Sequence, residues 1–486
     1  MHFPIYARNE YGFKIMDMAL EKKLYMEGSM VKKTFLPFLA LLGSLVFVSS
    51  LYADDLKFDY GSSFRLRQEI WDDIVTLGAP GTGTGPGADR NFLRLRSSLW
   101  GSVYDGQNLG AYLRLTNEMK WYGFADYRPR GEEGSNDPYD ADELVIDNIY
   151  ADANNIFGLP VDLRVGRQDF LGANMYGEGF LLLDGTPGDG SRTFYFNAAR
   201  ARVTFAQDVS ADLVYISDPE SDVYMPSLYQ GTKKQLTGSS EQAYMAYGRI
   251  KIANIAFEPY YIYKTEQPVA PNNKLLLNTV GARIVASPAG GWNLGGEFAY
   301  QFGTYASGSE FQDRRGYGGY AFVGRKYENV GWKPEWELRY VYLSGDNPNN
   351  PNKNGTWDPL FSRNPYWNEL IIYTLILETE KYGGPIPGYW TDLELLKAST
   401  KLNFTPTTSL ALSYQYLWAP ESTSGLPSFM FSNSGHSRGH LPTALLSHIF
   451  TKNLDGFLQL EYFVPEDFYS SRNDALFFRW QLQYKL

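Results

Sequence analysis

The chain has 486 residues, a formal net charge of -10 and no cysteine. The acidic balance argues against nucleic acid as a partner, because phosphate backbones are bound by clustered Lys and Arg. Without cysteine there can be no disulfide, thiolate metal site or cysteine nucleophile. An aromatic content of 16% beside 47 glycines and a mean hydropathy of -0.34 is typical of strands whose alternate residues face opposite media.

The N-terminal part of the chain predicts export. Residues 30–53 combine a basic start, a short apolar stretch and the small residue Ala53, so we expect a signal peptide here rather than a membrane anchor. Residues 1–29 precede it, which suggests a misassigned upstream start. No later window offers the roughly 18 apolar residues of a spanning helix. Residues 54–486 are therefore predicted to form a transmembrane antiparallel β-barrel, an all-β fold.

Amphipathic runs with a period of two recur along the predicted barrel. The last is the clearest, because Phe478, Trp480 and Leu482 alternate with Arg479 and Gln481. Counting such runs predicts 18 strands, near 56–71, 90–104, 109–120, 142–153, 160–169, 192–206, 211–218, 241–252, 255–266, 274–287, 292–303, 313–327, 333–344, 391–404, 409–419, 440–451, 456–465 and 474–486.

Connections between these runs alternate in length, as they do when short periplasmic turns exchange with long extracellular loops. To keep this alternation, we interpret 345–390 as one long extracellular loop, although the sequence of 366–381 resembles a strand or a helix. An even strand number with both termini in the periplasm follows. The short connections include 105–108, 287–291, 328–331, 405–407 and 452–455, and the long ones include 72–89, 121–141, 170–191 and 219–240.

Arginines alternate with the apolar residues of many predicted strands. Placing them toward lipid would cost about 2–4 kcal/mol each near the midplane, so they are expected to face the lumen. Glu69 shares the face of the first two. The predicted lumen residues are Arg65, Arg67, Glu69, Arg94, Arg96, Arg114, Arg164, Arg167, Arg200, Arg202, Arg339 and Arg479.

Two interpretations of this arginine pattern remain open. Guanidinium groups match carboxylate and phosphate, so the arginines could line an anion path. Alternatively they could pair with inward carboxylates and stiffen the barrel wall. The expected carboxylate partners are Glu69, Glu118, Asp147, Glu335 and Glu337.

Several segments resemble the alginate export porin family: Leu163–Gln168, the Gly-rich stretch 172–190, Phe194–Phe205, Arg438–Pro442, Glu461–Tyr469 and the closing strand. The resemblance covers nearly all of the mature chain. It implies an 18-stranded outer-membrane barrel whose arginine-rich constriction passes a polyuronate. It also implies that lumen arginines attract the polymer's carboxylates, a role that falls here to Arg65, Arg67, Arg94, Arg96, Arg164, Arg167, Arg200 and Arg202. Arg167 is out of phase with Arg164 unless Gly166 carries a bulge, which glycine permits.

No catalytic residue, metal ligand set or cofactor is predicted. His436, His440 and His448 lie close in sequence, but a loop with its following strand explains them better than a metal site. A hydrolase centred on Ser434 to His440 lacks an identifiable orienting group.

The sequence thus predicts a passive channel in the bacterial outer membrane for anionic small molecules or a uronate polysaccharide. Outer-membrane lipid and lipopolysaccharide are the expected surroundings, with periplasmic export proteins as further partners. The alternatives are a general or phosphate-type porin and a non-conducting barrel that binds ligands through its long loops.

Overall fold

The computed structural model describes residues 56–74, 90–122, 139–183, 185, 190–192, 194–226, 228, 236, 239–268, 274–307, 310–347, 349–350, 353–362, 367, 391–422, 431–470 and 472–486. The predicted signal peptide and upstream segment lie outside them and remain predictions. In the described part, no helix is long and apolar enough to cross a membrane.

Eighteen long strands and two short ones make up one sheet, and each long strand falls on one predicted run. The strands are β1 Lys57–Asp72, β2 Arg90–Tyr104, β3 Leu109–Trp121, β4 Tyr139–Ala141, β5 Val145–Ala153, β6 Val161–Gln168, β7 Phe196–Ala206, β8 Val209–Asp218, β9 Ser239–Ile252, β10 Ile255–Pro268, β11 Lys274–Ala286, β12 Trp292–Ser307, β13 Glu310–Lys326, β14 Glu335–Leu343, β15 Lys353–Asn354, β16 Leu393–Thr405, β17 Thr408–Trp418, β18 Ser437–Ile449, β19 Leu454–Pro465 and β20 Ala475–Lys485.

Each long strand pairs with the long strands beside it in sequence, and the described registers between long strands are antiparallel. The two-residue β15 pairs in parallel with β13. The first strand also pairs with the last, with Glu69 opposite Arg479, so the sheet closes into a barrel. β14 pairs directly with β16, which confirms that 345–390 contributes no spanning strand between them. Most of that segment, 363–366 and 368–390, lies outside the described residues.

The chain divides into two units. The small one, residues 1–57 with 104–109, is described at 56–57 and at the 104–109 turn, where Asp105 Oδ1 accepts three backbone N–H groups, each at 2.9 Å. The large unit, residues 58–103 with 110–486, contains the strand pairings described here.

Strand connections alternate in length as predicted. Two-residue turns join β7 to β8, β9 to β10 and β16 to β17, whereas residues 169–195 and 344–392 separate strands on the long side. Two connections on the long side, 269–273 and 308–309, are nevertheless short.

Side chains alternate between a buried and an exposed face of the sheet. In β9, Glu241, Ala243 and Met245 are buried while Gln242 and Tyr244 are exposed. The exposed face is rich in large apolar residues, which is the surface that a bilayer requires. Its members include Phe64, Leu99, Leu113, Leu213, Tyr261, Phe298, Leu338 and Leu458.

Candidate functional site

Five arginines of β20, β1 and β2 surround two carboxylates on the buried face. We call Arg65, Arg67, Arg94, Arg96 and Arg479, with Glu69 and Glu118, the five-arginine cluster. Both glutamates are fully buried. Positive side chains therefore outnumber negative ones five to two within this set. The period-two phase of the strands brings the cluster together, because 65, 67 and 69 share a face, as do 94 and 96.

The two glutamates hold the cluster through several short contacts. Glu118 lies 3.0 Å from Arg65 Nη2 and accepts a hydrogen bond from Arg94 Nε at 2.8 Å. Glu69 lies 2.8 Å from Arg67 Nε and from Arg479 Nη2. Arg96 has looser contacts, because its guanidinium lies 3.9 Å from Glu118 and donates to the Gly190 carbonyl at 3.0 Å.

Arg114 lies beside this cluster on β3 and binds two carboxylates. Its Nε donates to Asp147 at 2.9 Å and its Nη2 to Asp169 at 3.0 Å. Asp147 is 1% exposed and also lies 3.9 Å from Arg96. The structure therefore brings Arg114 and Arg96 to one shared acid.

Gly166 lies between Arg164 and Arg167 in a part of β6 that has no inserted residue. The register of β6 is continuous with both β5 and β7, so the expected bulge is absent. Gly166 instead has φ +135°, and an added Cβ would lie 2.2 Å from the Ile149 carbonyl oxygen. Only glycine adopts this conformation without strain at such a close approach.

Arg167 enters a fully buried cluster at the long-connection end of β6. It donates to Asp222 at 2.6 Å, and its guanidinium lies 4.2 Å from the centre of the Tyr195 ring. Arg192 joins Asp222 to Glu143. Burial opposes the ionisation of Asp222, but the hydrogen bonds from Arg167 and Arg192 hold its pKa below its ordinary value. This cluster is a closed set of ion pairs.

Arg164, Arg200 and Arg202 occupy neighbouring positions on β6 and β7, near the short-turn end. Arg164 binds both oxygens of Asp152, at 2.6 and 2.8 Å, and Arg202 binds both oxygens of Asp212, at 2.8 and 3.0 Å. Arg200 has no ion pair among the described residues. Its hydrogen bond is to Asn174 Oδ1, at 3.1 Å.

Arg339 lies on β14, which is many strands away from β1 and β2 in the order of the sheet. It donates to Glu337 at 2.8 Å and to Glu178 at 2.5 Å. Glu178 belongs to the connection between β6 and β7, so this ion pair ties that connection to the wall.

Two segments of the long connections pack on the buried face of the strands. Phe180 stacks on Trp357 with 5.2 Å between ring centroids, and Leu183 N donates to the Phe361 carbonyl at 3.2 Å. The Lys264 ammonium of β10 donates to the Leu360 carbonyl at 2.9 Å. The interior beside β10 to β14 is thus occupied by the chain itself, and Gly190 and Ser191 of the connection between β6 and β7 also contact the five-arginine cluster, at Arg96 and Glu118.

Most of the expected carboxylate partners are present. Glu69, Glu118, Asp147 and Glu337 contact arginines, as the wall-stiffening interpretation predicts. Glu335 is the exception, because it accepts from Asn403 Nδ2 at 3.1 Å and lies 3.6 Å from Lys326. It stands near the end of its strand, beside a lysine.

The histidines have separate local partners. His440 Nε2 lies 2.9 Å from Glu466, His448 Nδ1 lies 2.8 Å from the Thr408 hydroxyl and His436 Nδ1 lies 2.9 Å from the Ala419 carbonyl. Within the described residues no group of three or more His and carboxylate side chains is placed to hold a metal.

The sequence analysis missed an aromatic ladder on the buried face. Trp100 stacks on Tyr112 at 5.9 Å between centroids, Tyr112 stacks on Tyr150 at 5.0 Å, and the Arg164 guanidinium lies 3.9 Å from the centre of the Tyr150 ring. The period-two alternation of the strands could have identified two members. Trp100 is on the same face as Arg94 and Arg96, and Tyr112 is on the same face as Arg114.

Solved outer-membrane proteins share this fold. Acinetobacter baumannii OccAB1 is 10% identical, with 90% of this chain and 97% of that chain covered and a TM-score of 0.54. The BenF-like porin of Pseudomonas fluorescens Pf-5 is 9% identical, with 88% and 98% covered and a TM-score of 0.54. Pseudomonas aeruginosa OccK2 (OpdF), solved in complex with glucuronate, is 10% identical, with 88% and 98% covered and a TM-score of 0.53.

No curated protein sequence matches the chain. The model of the family "Alginate export" matches residues 58–374, which is more than half of the chain. This match agrees with the closed 18-stranded barrel and its apolar exposed face. The chain is an outer-membrane β-barrel and belongs to the alginate export family.

Proposed function

We propose that the barrel is a passive outer-membrane channel for anionic solutes and that its preferred solutes are uronate saccharides. The observation that carries this proposal is the five-arginine cluster together with its neighbour Arg114. Six guanidinium groups there contact four carboxylates, those of Glu69, Glu118, Asp147 and Asp169, so we expect this part of the wall to carry an excess of positive charge. Such a wall raises the local concentration of anions.

The carboxylates have a role in this proposal as well. A wall of unpaired arginines would hold a polyanion too tightly to release it, and conduction requires binding that is weak enough to leave. Glu69 and Glu118 lower the positive electrostatic field at this part of the wall, and their ion pairs hold the guanidinium groups in fixed positions. Carboxylates of the solute would exchange with Glu118 at Arg65 and Arg96.

The family supports a carboxylated saccharide, since alginate is a polyuronate. OccK2, a distant structural neighbour, binds glucuronate in its solved complex. A phosphate-type or general anion porin is the competing function, and it would share the anion preference without recognising the sugar.

Planar-bilayer recording tests the proposal. We expect conductance with anion preference, and block of the current by oligouronate. The Arg65→Ser, Arg96→Ser double variant should lose much of the anion preference, because it removes two positive charges while Arg94 still binds Glu118. Arg315→Ser is the matched control, since Arg315 is an exposed arginine of β13 and its loss should leave selectivity unchanged.

Each other outcome has a definite meaning. Absence of conductance would overturn the channel, and cation preference would overturn the anion path. Anion preference without block by oligouronate would favour a general anion porin. Equal effects of the double variant and Arg315→Ser would remove the five-arginine cluster from the selectivity mechanism.

A further inference from the structure

One buried carboxyl group lies where two long connections meet. Asp392 immediately precedes β16 and is 1% exposed. Its Oδ1 accepts a hydrogen bond from Glu421 N, in the connection between β17 and β18, at 2.9 Å. Its own backbone N–H donates to the carbonyl oxygen of Ser344, the residue after β14, at 3.2 Å. Asp392 thus joins both ends of the β14–β16 connection to the next connection along the chain.

The surroundings of the Asp392 carboxyl group suit its neutral form. Its Oδ2 is buried and has no hydrogen-bond partner among the described residues. Gly345 packs against the other oxygen so closely that an added Cβ would lie 1.9 Å from Oδ1. A buried carboxylate with one hydrogen-bond donor is costly, so this position favours a protonated carboxyl group.

The charged and titratable groups near Asp392 belong to β18 and to the two connections. Arg438 of β18 is fully buried, and its Nη2 donates to the Asp392 carbonyl oxygen at 3.2 Å. Burial raises the pKa of Asp392 and the Glu421 carboxylate adds to this, whereas Arg438, the Glu421 N–H and His436 oppose it. Burial also raises the pKa of Glu421 and that of Asp346, in the β14–β16 connection. This acid therefore changes charge close to neutral pH.

The Ser344 carbonyl also binds the part of the chain that occupies the barrel interior. We call residues 353–362 the interior segment. Its Trp357 N donates to the Ser344 carbonyl oxygen at 2.8 Å. The Trp357 side chain lies directly on Gly318 of β13, where an added Cβ would be 2.8 Å from the indole ring. One carbonyl group thus accepts from both Asp392 and the interior segment, so a displacement of Asp392 reaches that segment directly.

The backbone is strained at Asp392 and within the interior segment. Asp392 has φ +48° and Leu360 has φ +56°. Residues other than glycine adopt this left-handed region at a cost, and they keep it only while the surrounding contacts hold them. Loss of the contacts at Asp392 would therefore favour a second arrangement of this part of the chain.

We propose that Asp392 is a proton-operated latch for the interior segment. When the carboxyl group is protonated, the interior segment stays packed on the wall. When the proton passes to solvent, the new negative charge beside Glu421 draws the carboxylate toward water, and the interior segment leaves the conducting path. The proposal rests on the proposed function, because it regulates the same channel, and the channel should conduct less in acid than at alkaline pH.

Cysteine labelling of the refolded barrel tests the latch without any ionic current. The chain has no cysteine, so Thr356→Cys places a single thiol in the interior segment, at a residue that is 4% exposed. The maleimide labelling rate is divided by that of Asn329→Cys, at an exposed turn residue, which removes the pH dependence of the thiol itself. We expect the ratio to rise about tenfold or more from pH 5 to pH 8, because the ionised fraction of a group with a pKa of about 7 rises from about 1% to about 90%.

Two further substitutions in the Thr356→Cys chain assign this rise to Asp392. Asp392→Asn removes the ionisation and preserves the acceptor oxygen, so the ratio should stay low at both pH values. Glu421→Gln keeps its backbone donor and removes the charge that raises the pKa of Asp392, so the rise should move to lower pH. Asp474→Asn is the matched control, an exposed carboxyl group in the connection between β19 and β20, and it should leave the pH profile unchanged.

The latch is overturned if the ratio is equal at pH 5 and pH 8, or if Asp392→Asn keeps the pH profile of its parent. If Asp392→Asn fails to fold, as judged by heat-modifiable electrophoretic mobility, Glu421→Gln decides, and an unmoved profile overturns the latch. A barrel that shows the labelling change but does not conduct would overturn the channel and leave the latch. Anion-selective conductance with a constant labelling ratio would do the reverse.

Discussion

Glu69 of the first strand and Arg479 of the last form a buried ion pair across the seam of the barrel. Arg479 donates twice to the same carboxylate oxygen, at 2.8 and 3.1 Å, and the two residues are direct partners in the strand register. Arg67 and Arg94 contact the same oxygen at 2.8 and 3.5 Å. One carboxylate oxygen therefore contacts three guanidinium groups at the point of closure.

Glu69→Ala should destabilise the barrel by about 3–5 kcal/mol, the range seen when one partner of a buried ion pair is removed. The loss of heat-modifiable mobility in urea would measure this. Asp455→Asn is the control, because Asp455 forms only a long, exposed ion pair with Lys485 at 3.8 Å. Similar urea midpoints for the two variants would contradict a structural role for the seam pair.

Gly166→Ala should destabilise the barrel by about 1–3 kcal/mol or prevent assembly, because alanine is strained at φ +135° and its Cβ would meet the Ile149 carbonyl. Gly101→Ala is the matched strand glycine, with the nearest atom 3.9 Å from an added Cβ. Refolding yield and urea midpoint are the measurements. Equal behaviour of the two variants would mean that the backbone at 166 relaxes freely.

Lys264→Met should raise single-channel conductance and increase current noise. Lys264 is 1% exposed and connects β10 to the segment 353–362 through the Leu360 carbonyl, while it also binds Glu241 at 3.0 Å and Glu266 at 2.6 Å. Removing the ammonium frees the segment that occupies this side of the interior. Lys274→Met, at the exposed start of β11, should leave the current unchanged. An unaltered current in Lys264→Met would separate this segment from the conducting path.

The Asp392 carboxyl group should make the free energy of unfolding fall as the pH rises. Burial raises its pKa to about 7, against the opposing effects of Arg438 and of the hydrogen bond from Glu421 N. A carboxyl whose pKa is higher in the folded state binds more protons there, so unfolding becomes easier from about pH 4 to pH 7 and then levels off.

Asp392→Asn keeps an acceptor for the Glu421 N–H and cannot ionise. It should therefore be more stable than the unsubstituted chain at pH 8 and nearly equal at pH 4, as measured by urea midpoints. Glu328→Gln, an exposed carboxylate whose pKa is lowered by Lys326, should not reproduce this pattern. A pH profile that Asp392→Asn leaves unchanged would assign the effect to another group.

The strands were predictable because period-two patterning is local. Each run, from Lys57–Asp72 to Ala475–Lys485, carries its own alternation, and the number of runs then fixes which ends meet. The pairing of Glu69 with Arg479 follows from that closure. Contacts between long connections and the wall were not predictable, because no periodicity relates Glu178 to Arg339 or Leu360 to Lys264.

The arginine face was predictable by phase, but its partners were predictable only in part. Asp212 and Asp222 do not stand out in sequence, since their roles depend on register and on a returning loop. The isolated position of Arg200 depends on the residues opposite it in two neighbouring strands. Which residues lie opposite each other in neighbouring strands is known only from the three-dimensional structure of the barrel.

The seam pair joins residues 410 positions apart, so it links the first strand of the barrel to the last. Glu69 also contacts Arg67 on its own strand and Arg94 on the next strand. A shift of register by one residue would move Glu69 to the opposite face of the sheet, so this buried charge pair favours one alignment of the first and last strands. Faithful alignment of the final strand, rather than only the strength of the finished wall, is then part of what Glu69 contributes.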